Sequence, residues 1–545
     1  MAIAPTFQTP LARQYRAAGH WRQEPLGALL SRTVRQHAGR EGIIDHAQRL
    51  TFRELDRLSQ RAAVGFRSLG LGPGDVIAYQ LPNWWEAVVV FLGAVRMGAT
   101  VNPLLPMFRE SELGFTLRQS GAQALVIPGV WRGCDYRDLL AALRPKLPAL
   151  RAVFVARDAP RPGMHSWESF LATAPERALD DASAGPPVAA ASVALLMYTS
   201  GTTAEPKGVL HTHNTLAAEV MSLARVHQLT PQDRTLMPSP LTHISGVIHG
   251  MLVPALLGTS AVLMERWEPR QALDLIARER VTYMVGAPTF LQDLVTQAED
   301  CDGGDLRTLR LFSCGGAGVS PALVRRARER FPTCVTKRVY GSTEFPTLTT
   351  TDAANASRHG IDTEGRAIWP AEVRIADDAG ESLPPGVAGE VQGRGPEGCV
   401  GYRDGALNAD AFTADGWFRT GDLGILDAAG YLRITGRLKD IIIRKGEKIS
   451  VKEVEDQIAA HPAVAEVAVI PRPDPAAGER ACAVVRLRPG MRLDLVALTQ
   501  FLAAKGLAKH KWPEHLQVVA DFPRTESGKI RRAKLQERYA ERCGR

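Results

Sequence analysis

The sequence is poor in cysteine and places its few cysteines without a pattern. Seven cysteines are spread over 545 residues, and no two of them form a Cys-x-x-Cys pair. A disulfide framework needs an even, regularly spaced set, and a zinc ribbon needs Cys-x-x-Cys pairs, so the sequence argues against both. Scattered free thiols are typical of a reducing compartment, and we expect a cytoplasmic protein.

Long hydrophobic runs are also missing. The first 21 residues contain no apolar core of signal-peptide length, so we do not expect secretion. The segment Gly246–Met264 carries no formal charge, but it contains Pro254 and internal glycines and ends in the strand-like residues Thr259–Met264. We therefore expect a buried helix followed by a buried strand, and no integral membrane protein.

Neither sign of charge dominates. The chain has 66 Lys and Arg against 58 Asp and Glu, a net charge of +8. Basic residues become denser near the C-terminus, where they are Lys505, Lys509, Lys511, Lys529, Arg531, Arg532 and Lys534. This density fits either a solvated surface or a phosphate-bearing ligand nearby. Because no aromatic residues alternate with the charges, the pattern does not predict nucleic-acid binding.

Short apolar runs alternate with amphipathic segments through most of the chain. With 45% hydrophobic residues and this length, we expect a globular protein of about three or four packed units. The apolar runs predict strands at Asp75–Leu81, Ala124–Pro128, Ala152–Ala156 and Ala194–Tyr198. Asn83 is positioned to cap the helix that follows the first of these strands. This alternation predicts an α/β fold with doubly wound sheets.

The last hundred residues have a different texture. A β-rich stretch around 373–391 precedes them. They predict strands at Ile441–Ile443, Val464–Ile470 and Cys482–Leu487, with a helix at Val451–Ala460. A module of this size can form an independent domain.

The strongest local motif is Tyr198–Gly208, which reads YTSGTTAEPKG. It follows a predicted strand and combines hydroxyl side chains, two glycines and Lys207. Backbone N–H groups and hydroxyls in such a loop can surround a polyphosphate, and the lysine adds positive charge. The motif does not match a Walker A loop. An ordinary polar loop between strand and helix is the alternative interpretation.

Three further motifs are weak when taken alone. In Tyr340–Glu344, Thr343 can contact a phosphate oxygen and Glu344 is a hard carboxylate suited to Mg²⁺. Asp422 and Arg437 can hydrogen-bond ribose hydroxyls or phosphate. The turn-rich loop ending at Lys529 presents a lysine. Each of these also fits a surface turn or a solvated charge cluster.

Taken together, the four motifs resemble, in order and spacing, those of the adenylate-forming superfamily of acyl-CoA synthetases, luciferases and adenylation domains. Cys314–Gly316, Ile434–Arg437 and Val454–Asp456 are similar to segments of short- and medium-chain fatty acyl-CoA synthetases and cyclohexanecarboxylate-CoA ligases. The resemblance implies a large N-terminal domain, residues 1–438, with two doubly wound sheets and a β-rich subdomain. A small mobile α+β domain, residues 439–545, would follow.

The resemblance also implies an activity. In such enzymes a carboxylate attacks the α-phosphate of MgATP, and the thiol of coenzyme A then displaces AMP from the acyl-adenylate. We therefore expect ATP, Mg²⁺ and coenzyme A as cofactors, a monocarboxylic acid as substrate, and a monomer or homodimer. Two alternatives are an adenylating enzyme that passes the acyl group to an amine or a carrier-protein thiol, and a non-catalytic sensor.

The resemblance assigns roles residue by residue. It assigns the ATP phosphates to Thr199, Ser200, Gly201, Thr202, Thr203 and Lys207, the adenine to Gly316, Ala317 and Tyr340, and the ribose to Asp422 and Arg437. It assigns the α-phosphate to Thr343, Mg²⁺ to Glu344, catalysis to Lys529, the hinge to Lys439 and the pantetheine tunnel to Lys445 and Gly446. Departures from the family pattern are Ala204, where glycine is usual, and Arg444–Lys448.

The acyl pocket is expected from mostly small or apolar residues: His243 to Val247, Ala287 to Thr289, Cys314, Gly315 and the residues that flank Tyr340. This set offers no Arg or Lys to pair with a second carboxylate. The sequence therefore favours an uncharged acid: short- or medium-chain, alicyclic or aryl.

Overall fold

A computed structural model of the chain describes residues 10–173, 187–199, 206–300, 306–438, 440–444, 447–474, 477–525 and 529–540. Two large sheets form most of its N-terminal part. The first has nine strands in the spatial order β18-β17-β16-β15-β14-β12-β13-β1-β2. Its strands are β1 (Glu41–Ile44), β2 (Arg49–Thr51), β12 (Arg234–Met237), β13 (Ser260–Leu263), β14 (Tyr283–Gly286), β15 (Leu311–Gly315), β16 (Val335–Tyr340), β17 (Thr349–Thr350) and β18 (Arg366–Ala367).

The second sheet has seven strands in the order β11-β10-β4-β3-β5-β8-β9. They are β3 (Val76–Tyr79), β4 (Thr100–Pro103), β5 (Ala124–Pro128), β8 (Ala152–Ala156), β9 (His165–Ser166), β10 (Val193–Thr199) and β11 (Lys207–Thr212). β6 (Val130–Trp131) and β7 (Cys134–Asp135) form a separate two-stranded ribbon. In both large sheets the central pairs are parallel, and β11 closes the second sheet as an antiparallel edge strand.

Helices connect and cover these strands. They are α1 (Pro10–Ala17), α2 (Leu26–His37), α3 (Phe52–Ser68), α4 (Trp85–Arg96), α5 (Glu110–Ser120), α6 (Tyr136–Leu143), α7 (Trp167–Thr173), α8 (His213–His227), α9 (Val253–Leu257), α10 (Pro269–Arg278), α11 (Pro288–Asp300), α12 (Pro321–Arg330), α13 (Ala356–His359) and α14 (Asn408–Ala411). A π-helix spans Gly246–Leu252, and short 3₁₀ turns span Arg144–Lys146, Gly405–Leu407 and Lys509–Lys511. Local sequence sets several helix starts: the Thr212 side chain accepts the Thr215 N–H and begins α8 immediately after β11.

Two smaller sheets follow along the chain. The four-stranded antiparallel sheet contains β19 (Glu372–Ala376), β20 (Gly389–Arg394), β21 (Phe418–Leu426) and β22 (Leu432–Arg437). The five-stranded sheet contains β23 (Ile441–Arg444), β24 (Glu447–Ser450), β25 (Val464–Asp474), β26 (Gly478–Leu487) and β27 (His515–Val518), with helices α15 (Val451–Ala459), α16 (Leu495–Ala504) and α17 (Arg532–Ala540). The predicted α/β fold, with a large N-terminal and a small C-terminal domain, is confirmed.

The main hydrophobic core lies between the two large sheets. It joins Ile77 and Val101 of the seven-stranded sheet to Met237 and Tyr283 of the nine-stranded sheet through the helices between them. Helix α4 is apolar over most of its circumference, because it is covered on all sides. A second core packs α10, α11 and α12 on the opposite face of the nine-stranded sheet.

The predicted helix cap at Asn83 is wrong. α4 begins one residue later than a cap at Asn83 would place it, and its N-cap is Trp84. The Asn83 amide instead donates to the Ser239 and Met264 carbonyls, at 2.9 and 3.0 Å. Its side-chain oxygen accepts the Leu241 N–H at 2.8 Å. Asn83 thus links the two large sheets.

The uncharged segment that begins at Gly246 folds as expected into buried helix and strand. The π-helix and α9 are followed by β13, and all three pack in the interior. Across the residues described, none of the helices combines the length and the apolar character needed to span a membrane.

Candidate active site

Glu344 is held in place by contacts from residues 399–402, and the neighbouring Thr343 is held by a contact from His211. The Tyr402 hydroxyl donates to Glu344 Oε1 at 2.7 Å. The Cys399 N–H donates to the Glu344 carbonyl at 2.7 Å. One residue earlier, the Thr343 carbonyl lies 2.8 Å from His211 Nε2, and burial lowers the pKa of this histidine to about 4. His211 is therefore neutral at physiological pH and donates this hydrogen bond.

Lys207 lies near Glu344, because both residues contact Tyr402. Thr199, at the end of β10, is paired with Lys207, at the start of β11. The Lys207 ammonium lies 5.3 Å from the centre of the Tyr402 ring, within cation–π range. Thr199 and Lys207 are the residues predicted to bind the ATP phosphates that lie within the described part of the chain. Ser200, Gly201, Thr202, Thr203 and Ala204 lie outside the described residues.

Asp422 is the centre of a second cluster. It lies on β21, opposite Arg437 of β22. Arg437 Nε donates to Asp422 Oδ1 at 2.6 Å, and the Tyr340 hydroxyl donates to Asp422 Oδ2 at 2.7 Å. Burial and the neighbouring Asp422 carboxylate raise the pKa of Tyr340, so the phenol keeps its proton. The structure thus brings together three of the residues that were predicted to contact the nucleoside.

Lys529 reaches both clusters from the C-terminal part of the chain. A Cβ placed on Gly316, which has a φ of +78°, would lie 3.6 Å from Lys529 Cε. Burial lowers the pKa of Lys529, and the Arg437 charge lowers it further, whereas the charges of Asp422 and Glu344 oppose the shift. The ammonium therefore lies within electrostatic range of the predicted adenine, ribose and Mg²⁺ residues. Gly316 and Ala317 are exposed beside it.

His243 lies within electrostatic range of Lys529. Burial and the nearby Lys529 charge lower the pKa of His243 to about 3, so the imidazole is neutral at physiological pH. Its Nδ1 lies 3.0 Å from the Ser245 hydroxyl. Val247, four residues along, is fully buried in the π-helix. His243 is thus close to the lysine, and Val247 belongs to the core between the two large sheets.

Cys314 lies in a different core from Val247. Its thiol packs in the core against α11 and α12, whereas Val247 belongs to the core between the sheets. Successive residues of a strand point to opposite faces, so Gly315 lies on the Val247 side. The geometry leaves Cys314 to contribute its backbone, and not its thiol, to an acyl pocket.

Some functional candidates were not visible in the sequence, and some predicted residues are not described. His211 and Tyr402 gave no signal, because each matters only through a contact more than 50 residues away. The predicted hinge Lys439 and the predicted tunnel residues Lys445 and Gly446 lie outside the described part of the chain.

Two family models match the chain. The model described as "AMP-binding enzyme" matches residues 30–403. The model described as "AMP-binding enzyme C-terminal domain" matches residues 453–529. The chain belongs to the AMP-binding enzyme family. The resemblance to adenylate-forming enzymes, and the prediction of a ligase, are thereby confirmed.

Relatives of this AMP-binding enzyme differ in what they act on. The chain is 35% identical to the medium-chain fatty-acid–CoA ligase of Escherichia coli K12, over 98% of this chain and 94% of that protein. It is 34% identical to a salicyl-AMP ligase / salicyl-S-ArCP synthetase of Mycobacterium tuberculosis H37Rv, over 96% and 92%. The solved structure of ATP-bound MatB from Rhodopseudomonas palustris superposes with a TM-score of 0.84 at 28% identity, covering 95% and 99%.

The residues around Glu344 suit a magnesium ion. Mg²⁺ in nucleotide sites is held by one or two carboxylates together with substrate phosphates. Within the described residues no cluster of three or more metal-ligating His, Cys, Asp or Glu side chains occurs, so a closed all-protein cage is not present there. Glu344 is half-buried and gives only one of its oxygens to Tyr402, which leaves the other for a cation. The use of ATP and coenzyme A is consistent with the family.

Proposed function

We propose that this AMP-binding enzyme adenylates an uncharged monocarboxylic acid and transfers the acyl group to the thiol of coenzyme A. The observation that carries the proposal is the position of Lys529. Its side chain lies beside Gly316 and within the electrostatic range of Asp422 and Glu344, so one ammonium adjoins the predicted nucleotide and metal sites. The acid would be short- or medium-chain, alicyclic or aryl.

In the proposed first step, a carboxylate oxygen attacks the α-phosphorus of ATP and pyrophosphate leaves. Lys529 would bridge the carboxylate and the α-phosphate, because a compact ammonium can follow negative charge between two oxygens. Asp422 would accept hydrogen bonds from the ribose, with Arg437 beside it. Thr343 would contact the α-phosphate. Positioning and charge stabilisation are what this step requires of a protein.

Lys207 and the loop that follows Thr199 would hold the β- and γ-phosphates. Glu344 would hold Mg²⁺, which when bound neutralises phosphate charge. The Tyr402 hydrogen bond fixes the direction in which the Glu344 carboxylate points. The departure from the family pattern at Ala204 affects the same loop, and we expect a slower or weaker interaction with polyphosphate there.

In the proposed second step, the coenzyme A thiol displaces AMP after the C-terminal domain, residues 439–545, rotates about Lys439. Lys529 would leave the site, and Lys445 and Gly446 would line the pantetheine tunnel. Two of the polar contacts between described residues of the two domains would have to break in this rotation. The Ser450 hydroxyl donates to the Thr435 carbonyl at 2.6 Å, and Arg531 lies 3.7 Å from Met107 Sδ. Each of these contacts contributes little enough free energy to break and reform during turnover.

A second candidate acceptor is a carrier-protein thiol or an amine. The curated relative from M. tuberculosis is named for transfer to a carrier protein, and the Arg444–Lys448 segment departs from the usual acyl-CoA synthetase pattern. We propose coenzyme A as the main acceptor because the E. coli relative, whose sequence identity to this chain is similar, is named as a CoA ligase. We further propose a cytoplasmic enzyme that is a monomer or homodimer.

The test is acid-dependent pyrophosphate release. The protein is incubated with ATP, Mg²⁺ and a panel of fatty, alicyclic and aryl acids, and release is expected with a subset of them. Adding coenzyme A should then produce the thioester. If none of the acids causes pyrophosphate release, a non-catalytic sensor is favoured. If product forms with amines or carrier proteins but not with coenzyme A, the second candidate acceptor is favoured.

A further inference from the structure

Helix α8 carries two buried polar side chains on one face. Glu219 and Ser222 are three residues apart, so they are neighbours on the helix surface. Glu219 and Ser222 are both buried. α8 begins immediately after β11, and His211 of that strand contacts Thr343 in the candidate active site. The contacts of this helix face therefore bear on how the site is held.

Ser222 contacts the chain segment that reaches Glu344. Its hydroxyl lies 2.5 Å from Glu397 Oε1. Glu397 is fully buried and begins segment 397–402, which ends at Tyr402. The Tyr402 hydroxyl donates to the Glu344 carboxylate. A short path of contacts thus leads from α8, through this segment, to the carboxylate that is predicted to bind Mg²⁺.

Glu219 contacts the chain on the other side of the same carboxylate. The hydroxyl and the N–H of Thr347, a buried residue, lie near the Glu219 carboxyl group and favour its charged form. Thr347 follows Glu344 by three residues. One face of α8 therefore contacts both of the segments that hold Glu344, residues 344–347 and segment 397–402.

Glu397 is the member of this group whose charge changes near neutral pH. Burial raises the pKa of Glu397 to about 7, although the Ser222 hydroxyl and the Arg225 charge oppose the shift. Burial raises the pKa of Glu219 well above its usual range and the Glu397 charge raises it further, so Glu219 stays protonated. Glu397 also faces Tyr15 of α1, whose phenol stays protonated because burial raises its pKa. Above pH 7, Glu397 is thus the ionised carboxylate of the pair.

An ionised carboxylate accepts a stronger hydrogen bond from a hydroxyl than a neutral carboxyl group does. The contact between Ser222 and Glu397 is therefore strongest when Glu397 is charged. We propose that Ser222 and Glu397 are positioning residues for Glu344: their hydrogen bond fixes segment 397–402 to α8 and so orients the carboxylate that would bind Mg²⁺. This inference rests on the proposed function, because it takes Glu344 as the Mg²⁺ ligand.

The experiment measures the Mg²⁺ concentration that gives half-maximal pyrophosphate release, at pH 6 and at pH 8. Glu397→Gln keeps the shape of the side chain and removes its charge. Each variant is compared with the wild type at the same pH, so that the titration of ATP itself cancels. At pH 8, Glu397→Gln should need about fivefold more Mg²⁺ than the wild type, the difference between a charged and a neutral hydrogen bond. At pH 6, where Glu397 of the wild type is mostly protonated, the two proteins should need the same concentration.

Two further variants test the same contact. Ser222→Ala removes the partner hydroxyl and should raise the Mg²⁺ requirement at pH 8 at least as much, because the charged hydrogen bond is lost outright. This smaller change also serves as the test if Glu397→Gln does not fold. Glu219→Gln is the matched control, because it makes the same substitution on a carboxyl group that stays protonated. The ratio of its Mg²⁺ requirement to that of the wild type should be the same at pH 6 and pH 8.

A purely structural role gives a different result. It predicts that Glu397→Gln lowers the unfolding temperature and the maximal rate but leaves the Mg²⁺ requirement unchanged, or changes that requirement equally at both pH values. Either result would overturn the inference and leave the ligase intact.

Failure of the proposed function is recognised separately, because pyrophosphate would then be released with none of the acids. In that case calorimetry of ATP binding at several Mg²⁺ concentrations tests the inference without turnover. Weaker binding to Glu397→Gln than to the wild type at pH 8, but not at pH 6, would support the role of Glu397. Equal binding to both proteins at both pH values would refute it.

Discussion

The hydrogen bond between Tyr402 and Glu344 makes a sharp prediction about the use of Mg²⁺. Tyr402→Phe removes one hydroxyl and keeps the ring that Lys207 contacts. A hydrogen bond to a charged group contributes about 1.5–3 kcal/mol. Because Glu344 is half-buried, water can replace the lost donor, and we expect the lower end of this range. About 1.5 kcal/mol corresponds to a roughly tenfold loss in kcat/KM for adenylation.

The assay is pyrophosphate release measured over a range of Mg²⁺ concentrations. Tyr402→Phe should raise the Mg²⁺ concentration that gives half-maximal rate, because the Glu344 carboxylate is no longer held in one direction. Tyr198→Phe is the matched control: Tyr198 is a similarly buried tyrosine, and its hydroxyl has no partner within the described parts of the chain. If both variants keep the wild-type Mg²⁺ dependence, or both lose activity equally, Tyr402 does not position Glu344.

Three other perturbations test the site and the fold. Lys529→Ala should abolish adenylation and largely spare thioester formation from preformed adenylate; equal loss in both half-reactions would contradict domain rotation. Tyr340→Phe removes a hydrogen bond to Asp422, so the KM for ATP should rise about tenfold at an unchanged Mg²⁺ dependence, measured by pyrophosphate release. The pKa of His211 is about 4, against 6.5 when unfolded, so the unfolded state binds more protons between these values and stability falls as pH drops below about 6.5. At pH 5 this one group lowers the free energy of unfolding by about 2 kcal/mol. The urea midpoint of His211→Gln should therefore change less between pH 7 and pH 5 than the midpoint of the wild type does.

Local pattern was sufficient for the strands at the centre of the sheets. Ala124–Pro128 and Ala152–Ala156 were predicted with the bounds that the structure shows, since a buried parallel strand is a continuous apolar run. The α15 helix and β23 were likewise close to prediction. These elements are determined by residues that are neighbours in the chain.

Long-range contacts explain what the sequence did not predict. Asn83 looked like a helix cap, but its amide bonds carbonyls more than 150 residues away, and no local pattern carries that information. Tyr402 and His211 were invisible for the same reason. Cys314 and Gly315 were both predicted to line the acyl pocket because they are adjacent in the sequence. Neighbouring residues on a strand, however, face opposite sides of the sheet. Adjacency in sequence predicts motifs well and predicts the face of a sheet only when the strand register is known.

The arrangement that holds Glu344 also protects the protein from self-association. β11 is the edge of the seven-stranded sheet, and an open edge can pair with another chain. Here its outer side is occupied by residues 400–403: the Leu210 N–H donates to the Gly401 carbonyl at 2.9 Å, and the Arg403 N–H donates to the Gly208 carbonyl at 2.6 Å. Gly401 has a φ of +129°, which a side chain would strain. Substitutions that disrupt this short segment would therefore expose the unpaired edge of β11 and also change the orientation of the Glu344 carboxylate. Activity and solubility should be lost in the same variants.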